Sequence, residues 1–381
     1  MGRKHALTVV CVGFALGLCA CGGDGGSGAG LATLNAPVDP RAQLEWGEHT
    51  ARIGGISAAD VAAGAAMAVY PPDGGERPSS WFLVRDDRWT DAVIAAQFAT
   101  KPINAGLGVI DKEYVPTATV DLLRRVTVTG FPKGKGLEAA VLGKAGTDVF
   151  LGLKERRLEA TQLKERTPAQ LAEKIVPFHG GGARKYSPSI VIASAAERSY
   201  ALPAAAWSAY SGDALVLVER HTVPAATRRV IAQREKLTLE RPTMYVIGPE
   251  DAISDSVVAE LSAFGEVKRI AGDSAVETSI ALARYRDPET LFGWGLRRAP
   301  ANFSLVNEDD WGDAVGAFTF AASGPQAPLL LTDSAEELPE PLTRYLGGLR
   351  GSEPSHGFVF GDRESIGSAQ FQQFDEALAR R

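Results

Sequence analysis

One pair of side chains occurs twice in the sequence, a tryptophan two residues before an aspartate. The stretches DDRWTDAV, from Asp86, and EDDWGDAV, from Glu308, share the pattern Trp-x-Asp-Ala-Val. An aromatic ring beside a carboxylate suits a sugar, because the ring stacks on CH groups while the carboxylate accepts hydrogen bonds from hydroxyls. The sequence therefore gives two pairs of polymer-binding candidates, Trp89 with Asp91 and Trp311 with Asp313.

A structural interpretation accounts for the same residues. Each pair follows a short apolar run, Trp81–Val84 or Phe303–Val306, which predicts a strand leading into a helix. A carboxylate in the first turn can accept hydrogen bonds from unpaired amides, worth about 1 kcal/mol, and a tryptophan can cover the end of the sheet. Ligands of open parallel sheets also bind beyond the carboxyl ends of the strands, where these loops lie. The predicted location is therefore compatible with both roles. In the middle of the chain Ser199 stands at the equivalent spacing, without a tryptophan.

The elements that must position these residues alternate between strands and helices. Continuous apolar runs such as PSIVIAS, GDALVLVE and APLLLTD predict buried parallel strands, and the segments between them have helical spacing. This order of strands and helices occurs three times, and the middle copy matches the pattern less clearly than the other two. We predict an α/β fold of three tandem units, each a small parallel sheet flanked by helices in Rossmann-like layers, over residues 48–150, 151–266 (degenerate) and 267–381. A pseudo-threefold packing of the units is compatible with this pattern.

The N-terminal residues have the pattern of an export signal. Arg3 and Lys4 precede an apolar run that is too short to span a bilayer comfortably, and Leu-Cys-Ala-Cys ends it at Cys21. This end resembles a bacterial lipobox, which implies a lipid on Cys21. Because all three cysteines lie in this segment, cleavage at Cys21 would leave one thiol and no internal disulfide. We predict a lipoprotein signal peptide over residues 1–21 and a flexible glycine-rich tether over 22–47. A plain secretory signal is the alternative.

Charge and motif content argue against several classes of function. The formal net charge of −6 disfavours nonspecific nucleic-acid binding, although Lys154–Arg166 and Gly130–Gly136 are local basic stretches, with a solvated helix face and a loop as the alternatives. The histidines are isolated, no zinc spacing occurs, and no Gly-x-Ser-x-Gly elbow is present. We therefore predict a non-catalytic protein without metal or cofactor. A glycine-rich stretch before one predicted strand could cradle an anion, with Gly180, Gly181, Arg184 and Lys185 as the candidate residues.

The order of several motifs resembles the cell wall-binding repeat 2 family. These motifs are RIAG with ET and IALA, then DAV after a strand, PLLLTD, and YVIGPEDAIS, and together they cover most of Arg52–Arg381. The resemblance implies tandem triplets on bacterial surface proteins and an anionic wall polymer as ligand. It adds Arg269, in the RIAG segment, to the polymer-binding candidates. Ala275 and Val276 replace the usual Arg-Tyr pair of the family, and the first unit lacks a visible Glu-Thr pair.

The function predicted from these features is a lipid-anchored, non-catalytic envelope protein that binds or organises cell-wall polymer. It would be exported and held at the outer face of the cell membrane through the lipid on Cys21. Its expected partners are that membrane and the polymer, and no nucleic acid. One alternative is a lipid-anchored solute-binding component of a transporter, which would have two lobes crossed by hinge strands. Another is a degenerate repeat scaffold for protein contacts, which the loss of the Arg-Tyr pair favours.

Overall fold

The computed structural model describes residues 45–72, 74–101, 103–131, 136–175, 187–296, 302–349 and 355–379, all within one compact unit. The strands in these ranges are β1 (Thr50–Ile53), β2 (Trp81–Arg85), β3 (Gly106–Ile110), β4 (Ala139–Leu142), β5 (Ala160–Leu163), β6 (Ser189–Ser194), β7 (Ala214–Val218), β8 (Thr243–Ile247), β9 (Glu266–Ile270), β10 (Asn302–Asn307), β11 (Leu329–Thr332) and β12 (His356–Phe360). The helices are α1 (Ala58–Val69), α2 (Trp89–Ala96), α3 (Thr117–Arg125), α4 (Thr147–Glu155), α5 (Pro168–Ile175), α6 (Arg198–Ser211), α7 (Ala225–Thr238), α8 (Asp255–Ser262), α9 (Ala275–Arg284), α10 (Ala314–Ala322), α11 (Glu340–Gly348) and α12 (Ser368–Ala379).

The strands form three parallel sheets of four strands each within the described ranges, which confirms the predicted α/β class. The first sheet has the order β3-β2-β4-β5, the second β7-β6-β8-β9 and the third β11-β10-β12-β1. Every strand pair is parallel. Each sheet thus repeats one topology, in which the earliest strand of the unit, β2, β6 or β10, lies inside the sheet.

The inner strands are buried because their sequences are apolar along their whole length. Every residue of β2 and of β6 is buried, as continuous apolar strands of a doubly covered parallel sheet should be. The outer strands β5 and β9 are half-exposed and carry polar side chains. This polarity suits an edge, where a polar strand discourages pairing with another chain.

The third sheet takes its last strand from the other end of the sequence. β1 pairs with β12, with Thr50 opposite Gly357 and Ile53 opposite Phe360. The position that β5 and β9 hold in the first and second sheets is therefore held by β1 in the third. The predicted boundary at residue 150 lies between β4 and β5, which pair in one sheet. A boundary drawn along the sequence can therefore separate a strand from the sheet to which it belongs.

The helix after each of these outer strands packs on the next unit. Helix α1, after β1, contacts β3 and α3, helix α5 contacts α7 and β7, and helix α9 contacts β11 and α11. The chain therefore passes from one sheet to the next in the same way three times, and β1 closes the cycle. Such a cycle is the connectivity that a pseudo-threefold packing requires.

The turn between β9 and α9 shows why glycine is needed at these crossings. A Cβ on Gly272 would lie 2.5 Å from the Glu277 Cβ. Ser274 caps the helix, since its hydroxyl accepts a hydrogen bond from the Glu277 amide at 3.1 Å, and Glu277 in turn accepts one from the Asp273 amide at 3.0 Å. The two hydrogen bonds resemble a capping box and satisfy the Glu277 amide of the first turn and the Asp273 amide just before the cap. Gly55 is the equivalent residue before α1, where a Cβ would lie 2.3 Å from that of Asp60.

Three alanine-rich helices meet in the middle of the molecule. α2, α6 and α10 follow the inner strands β2, β6 and β10 and contact one another. Every residue of α10 is buried, and a Cβ on Gly316 would lie 2.8 Å from the Phe360 ring, so small side chains are required there. An aromatic cluster joins α6 to the loop after α9, with ring centroids of Trp207 and Trp294 5.4 Å apart and of Tyr210 and Trp294 4.5 Å apart.

Candidate functional site

A matched contact recurs at the carboxyl end of each sheet. The loop after the third strand of the unit begins with a glycine of positive φ, and a side chain from the start of the central helix lies against it. The contacts are Gly143 with Asp91, Gly248 with Tyr200, and Gly361 with Asp313. The middle unit therefore presents Tyr200, and not the predicted Ser199, at the position of the repeated aspartate. These loops lie where ligands of open parallel sheets bind.

In the first unit the repeated aspartate is neutralised by its own chain. Asp91 is fully buried, and Arg88 binds its carboxylate with Nε at 2.5 Å from Oδ2 and Nη2 at 3.1 Å from Oδ1. Burial raises the pKa of the Asp91 carboxyl, and the Arg88 hydrogen bonds oppose that rise. Asp91 makes no capping hydrogen bond among the described residues of α2, so the guanidinium takes the place of the expected first-turn amides. Trp89 is partly buried against the core.

Beside this ion pair lies a cavity of about 560 Å³ rich in cationic side chains, the basic crevice. Its charged lining residues are Arg85, Arg88, Lys144, Lys164, Glu165 and Arg166. Arg85 is held by Asp87 and by the Lys144 carbonyl at 2.5 Å. Lys144, Lys164 and Arg166 are exposed and have no acidic partner within the described part of the chain. The crevice thus offers three unpaired cations on an acidic protein.

The third unit has a cavity at the equivalent place, with a volume of about 500 Å³ and the opposite charge, the acidic crevice. It contains the predicted pair Trp311 and Asp313. Its other acidic lining residues are Asp86, Asp309, Asp310, Asp362 and Glu364. The structure therefore brings the candidate tryptophan and aspartate together in the third unit, whereas Trp89 and Asp91 do not line the basic crevice.

The Asp313 carboxylate has no hydrogen-bond or ion-pair partner among the described residues. It is 9% exposed, and no donor from the described residues hydrogen bonds to it, including the amides of its own helix. Burial, followed by repulsion from Asp310 and Asp362, raises the pKa of Asp313 from 3.8 to about 8. A buried carboxyl without a cation is best accommodated in its neutral form. The two copies of the repeated aspartate thus occupy equivalent positions in their units but have different charged neighbours.

Two substitutions close to the repeated aspartate contribute to the inversion of charge between the crevices. Position 88 is arginine in DDRWTD, and the matching position 310 is aspartate in EDDWGD. The residue after the conserved turn glycine is Lys144 in the first unit and Asp362 in the third. Sequence patterns singled out the tryptophans and aspartates and missed these neighbours. The alignment of the two repeats carried the signal at position 88, because only one copy has a cation there.

The remaining candidate Arg269 holds a loop in place. Its guanidinium donates to the Gly248 carbonyl, the Ile253 carbonyl and the Asp255 carboxylate, each at 2.9 Å. Arg52 of β1 similarly donates to the Gly361 carbonyl at 3.2 Å and is almost fully buried. The arginine of each Arg-Ile motif therefore ties its strand to the loop after the neighbouring strand.

The remaining predictions concern residues outside the described ranges, metal ligands and membrane-spanning helices. Cys21, the signal segment and the glycine loop with Gly180, Gly181, Arg184 and Lys185 lie outside the described ranges. Of the predicted tether only residues 45–47 are described, and there the Gly47 amide donates to the Thr50 carbonyl at 2.7 Å. Within the described part of the chain no three His, Cys, Asp or Glu side chains converge as metal ligands. No helix there has the length and apolar character to cross a membrane.

Comparison with known proteins identifies the fold. No protein-family model matches the chain, and no curated protein sequence is significantly similar to it. Among solved structures, Cwp6 from Clostridium difficile is similar with a TM-score of 0.71 and 15% identity, over 87% of this chain and 48% of that one. Cwp8 from Clostridium difficile has a TM-score of 0.68 and 15% identity, over 87% and 52%. The chain spans about half the length of these two cell wall proteins. It shares their fold of three α/β units.

Proposed function

We propose that the protein is an exported, non-catalytic cell-envelope protein that binds an anionic cell-wall polymer in the basic crevice. The observation that carries this proposal is the set of three exposed cations without acidic partners among the described residues, Lys144, Lys164 and Arg166, gathered beside Arg85 and Arg88. A phosphate or carboxylate chain would receive charge-assisted hydrogen bonds from several of these side chains at once. The location beyond the carboxyl ends of β2 and β4 is one that favours ligand binding.

The fold and the N-terminal sequence support a location in the cell envelope. Two cell wall proteins have the same three-unit fold, and the N-terminal residues up to Cys21 have the pattern of an export signal. We place a lipid on Cys21, which would hold the folded unit at the outer face of the membrane through the glycine-rich tether. The three sheets do not match the two lobes that a transporter's solute-binding component would have.

Cosedimentation with purified cell walls tests polymer binding. The protein carrying Cys21→Ser is mixed with walls over a salt series, because counterion release makes binding to a polyanion fall with salt. The triple variant Lys144→Glu, Lys164→Glu, Arg166→Glu should lose at least tenfold in retention. The matched control reverses Arg124, Arg125 and Lys236, which are exposed basic residues elsewhere, and should keep its retention.

The two triple variants carry the same net charge, so the comparison isolates the crevice. Equal retention of both would show that the basic crevice is not the polymer site. Walls stripped of phosphate-bearing and carboxylate-bearing polymer should retain none of the proteins. Lipidation is tested separately by mass spectrometry of the membrane fraction, where the unsubstituted chain should carry the mass of a diacylated Cys21 and Cys21→Ser should not.

A further inference from the structure

We infer that the acidic crevice binds an organic cation, a guanidinium or primary ammonium group, against the Asp313 carboxylate. This inference does not depend on the proposed binding of polymer in the basic crevice. It starts from a polar side chain that is more than nine-tenths buried, points into a cavity and has no partner among the described residues. Buried carboxylates in folded proteins are ordinarily paired or hydrogen-bonded, so an unpaired one facing an open cavity is a place where a cation from a ligand would be stabilised.

The first unit shows which group fits beside an aspartate at this position. There the guanidinium of Arg88 lies across the Asp91 carboxylate and supplies two hydrogen bonds. In the third unit Asp310 takes the place of Arg88, so the internal cation is missing and a like charge stands instead. A cation brought by a ligand would restore the arrangement that the first unit makes within its own chain.

The charges around the crevice favour such a ligand. Acidic groups approach Asp313 from three segments: Asp86 from the loop after β2, Asp309 and Asp310 from the loop after β10, and Asp362 and Glu364 from the loop after β12. Of the cations nearby, Arg198 pairs with the lining residue Asp309 at 2.9 Å and offsets that one charge. Arg363 lies 3.4 Å from Glu45, and Arg52 donates to main-chain carbonyls, so neither forms an ion pair with Asp310, Asp313 or Asp362. The net field in the crevice is therefore negative, which attracts a cation.

The shape of the crevice suits a group the size of a side chain rather than a bare metal ion. Its volume of about 500 Å³ accommodates an arginine or an amino sugar, and its lining includes Trp311, a residue type that attracts cations. The described acidic side chains do not converge in a set of three that could ligate a metal. An organic cation with several N–H donors spans such separated acceptors.

Binding should depend on pH because the carboxyl must be ionised to pair with a cation. Burial and repulsion from Asp310 and Asp362 raise the pKa of Asp313 to about 8, so the site is mostly neutral at pH 6 and mostly ionised at pH 9. The affinity for a cation should therefore rise at least tenfold between pH 6 and pH 9, and binding at pH 7 should release a proton.

Calorimetric titration of the protein carrying Cys21→Ser tests the inference. The probes are N-acetyl-arginine amide, glucosamine, neutral N-acetylglucosamine and Ca²⁺, all compared at pH 7, where the glucosamine amine is still largely protonated. N-acetyl-arginine amide, whose guanidinium stays charged throughout, is also titrated at pH 6 and pH 9 to measure the dependence on pH. Tighter binding of the arginine amide would identify a protein side chain as the natural source of the cation, and tighter binding of glucosamine would identify an amino sugar. Either result supports the site, provided that N-acetylglucosamine does not bind.

Three variants locate the binding. Asp313→Asn should lower the affinity at pH 9 at least tenfold and remove its pH dependence. Asp310→Arg should supply the internal cation of the first unit and block the probes, which keeps the test informative if Asp313→Asn folds poorly. Asp148→Asn, which removes an exposed acid on α4, should change nothing. Probe binding that Asp310→Arg leaves intact, or Ca²⁺ displacing every organic probe, would overturn the inference.

Discussion

Replacing Asp313 with asparagine should stabilise the protein at alkaline pH and flatten the dependence of its stability on pH. The pKa of this carboxyl rises from 3.8 in the unfolded chain to about 8 in the folded protein. The unfolded state therefore ionises first as the pH increases, and the folded state loses about 1.4 kcal/mol per pH unit between these two values. The loss is small below pH 4 and reaches roughly 6 kcal/mol above pH 8.

Asparagine does not titrate, so it removes this loss and adds a constant one. The buried amide has no partner and should cost about 1–2 kcal/mol at every pH. The variant should therefore be about as stable as the unsubstituted protein at pH 5 and more stable by about 3–5 kcal/mol at pH 8.5. Urea unfolding followed by tryptophan fluorescence at each pH from 5 to 9 measures the difference.

The first repeat provides the matched control. Asp91→Asn leaves the Arg88 guanidinium without its carboxylate, so this variant should be less stable by about 1–3 kcal/mol at neutral pH. The same chemical change thus has opposite effects in the two repeats above pH 8. A stability difference for Asp313→Asn that stays constant from pH 5 to pH 9 would refute the assignment of a neutral, unpaired Asp313.

Three further changes test the packing of the fold. Trp294→Ala should lower the free energy of unfolding by about 3–5 kcal/mol, because a ring that is 2% exposed is lost from the aromatic cluster, and urea unfolding measures it. Gly272→Ala should cost about 1–3 kcal/mol, since the new Cβ would lie 2.5 Å from that of Glu277, whereas Gly347→Ala, in open space on α11, should be neutral or stabilising by up to about 1 kcal/mol. Ser274→Ala should cost about 1 kcal/mol through the lost cap of α9, seen as a lower urea midpoint.

The fold class could be predicted because the inner strands have a recognisable sequence pattern. β2, β6 and β10 are continuous apolar runs followed by helical spacing, and this order recurs three times. The strands β4 and β5 were missed, since Ala139–Leu142 and Ala160–Leu163 are four residues long and β5 mixes polar with apolar side chains. Short strands depend on their neighbours in the sheet more than on their own sequence.

The candidate site was only partly visible in the sequence. The repeated tryptophan and aspartate were found through their spacing, yet what distinguishes the two copies lies three residues earlier, at Arg88 and Asp310. The second difference, Lys144 against Asp362, lies about 50 residues downstream of the repeated aspartate. Only the folded sheet brings it close to that aspartate. Charge environments built from separate loops are properties of the topology and cannot be assigned from local spacing.

The pairing of β1 with β12 has a consequence for the order in which the chain can fold. Arg52 and Gly361, which are hydrogen-bonded, lie 309 positions apart in sequence. At a synthesis rate of about 5–20 residues per second, β1 waits roughly 15–60 s for its partner to be made. Until β1 pairs with β12, the backbone groups on that edge of β12 are unpaired, and an unpaired strand edge favours pairing with another chain. The strand beside the N-terminal segment thus acts as the last closure of the molecule, and its loss would favour aggregation of an otherwise folded protein.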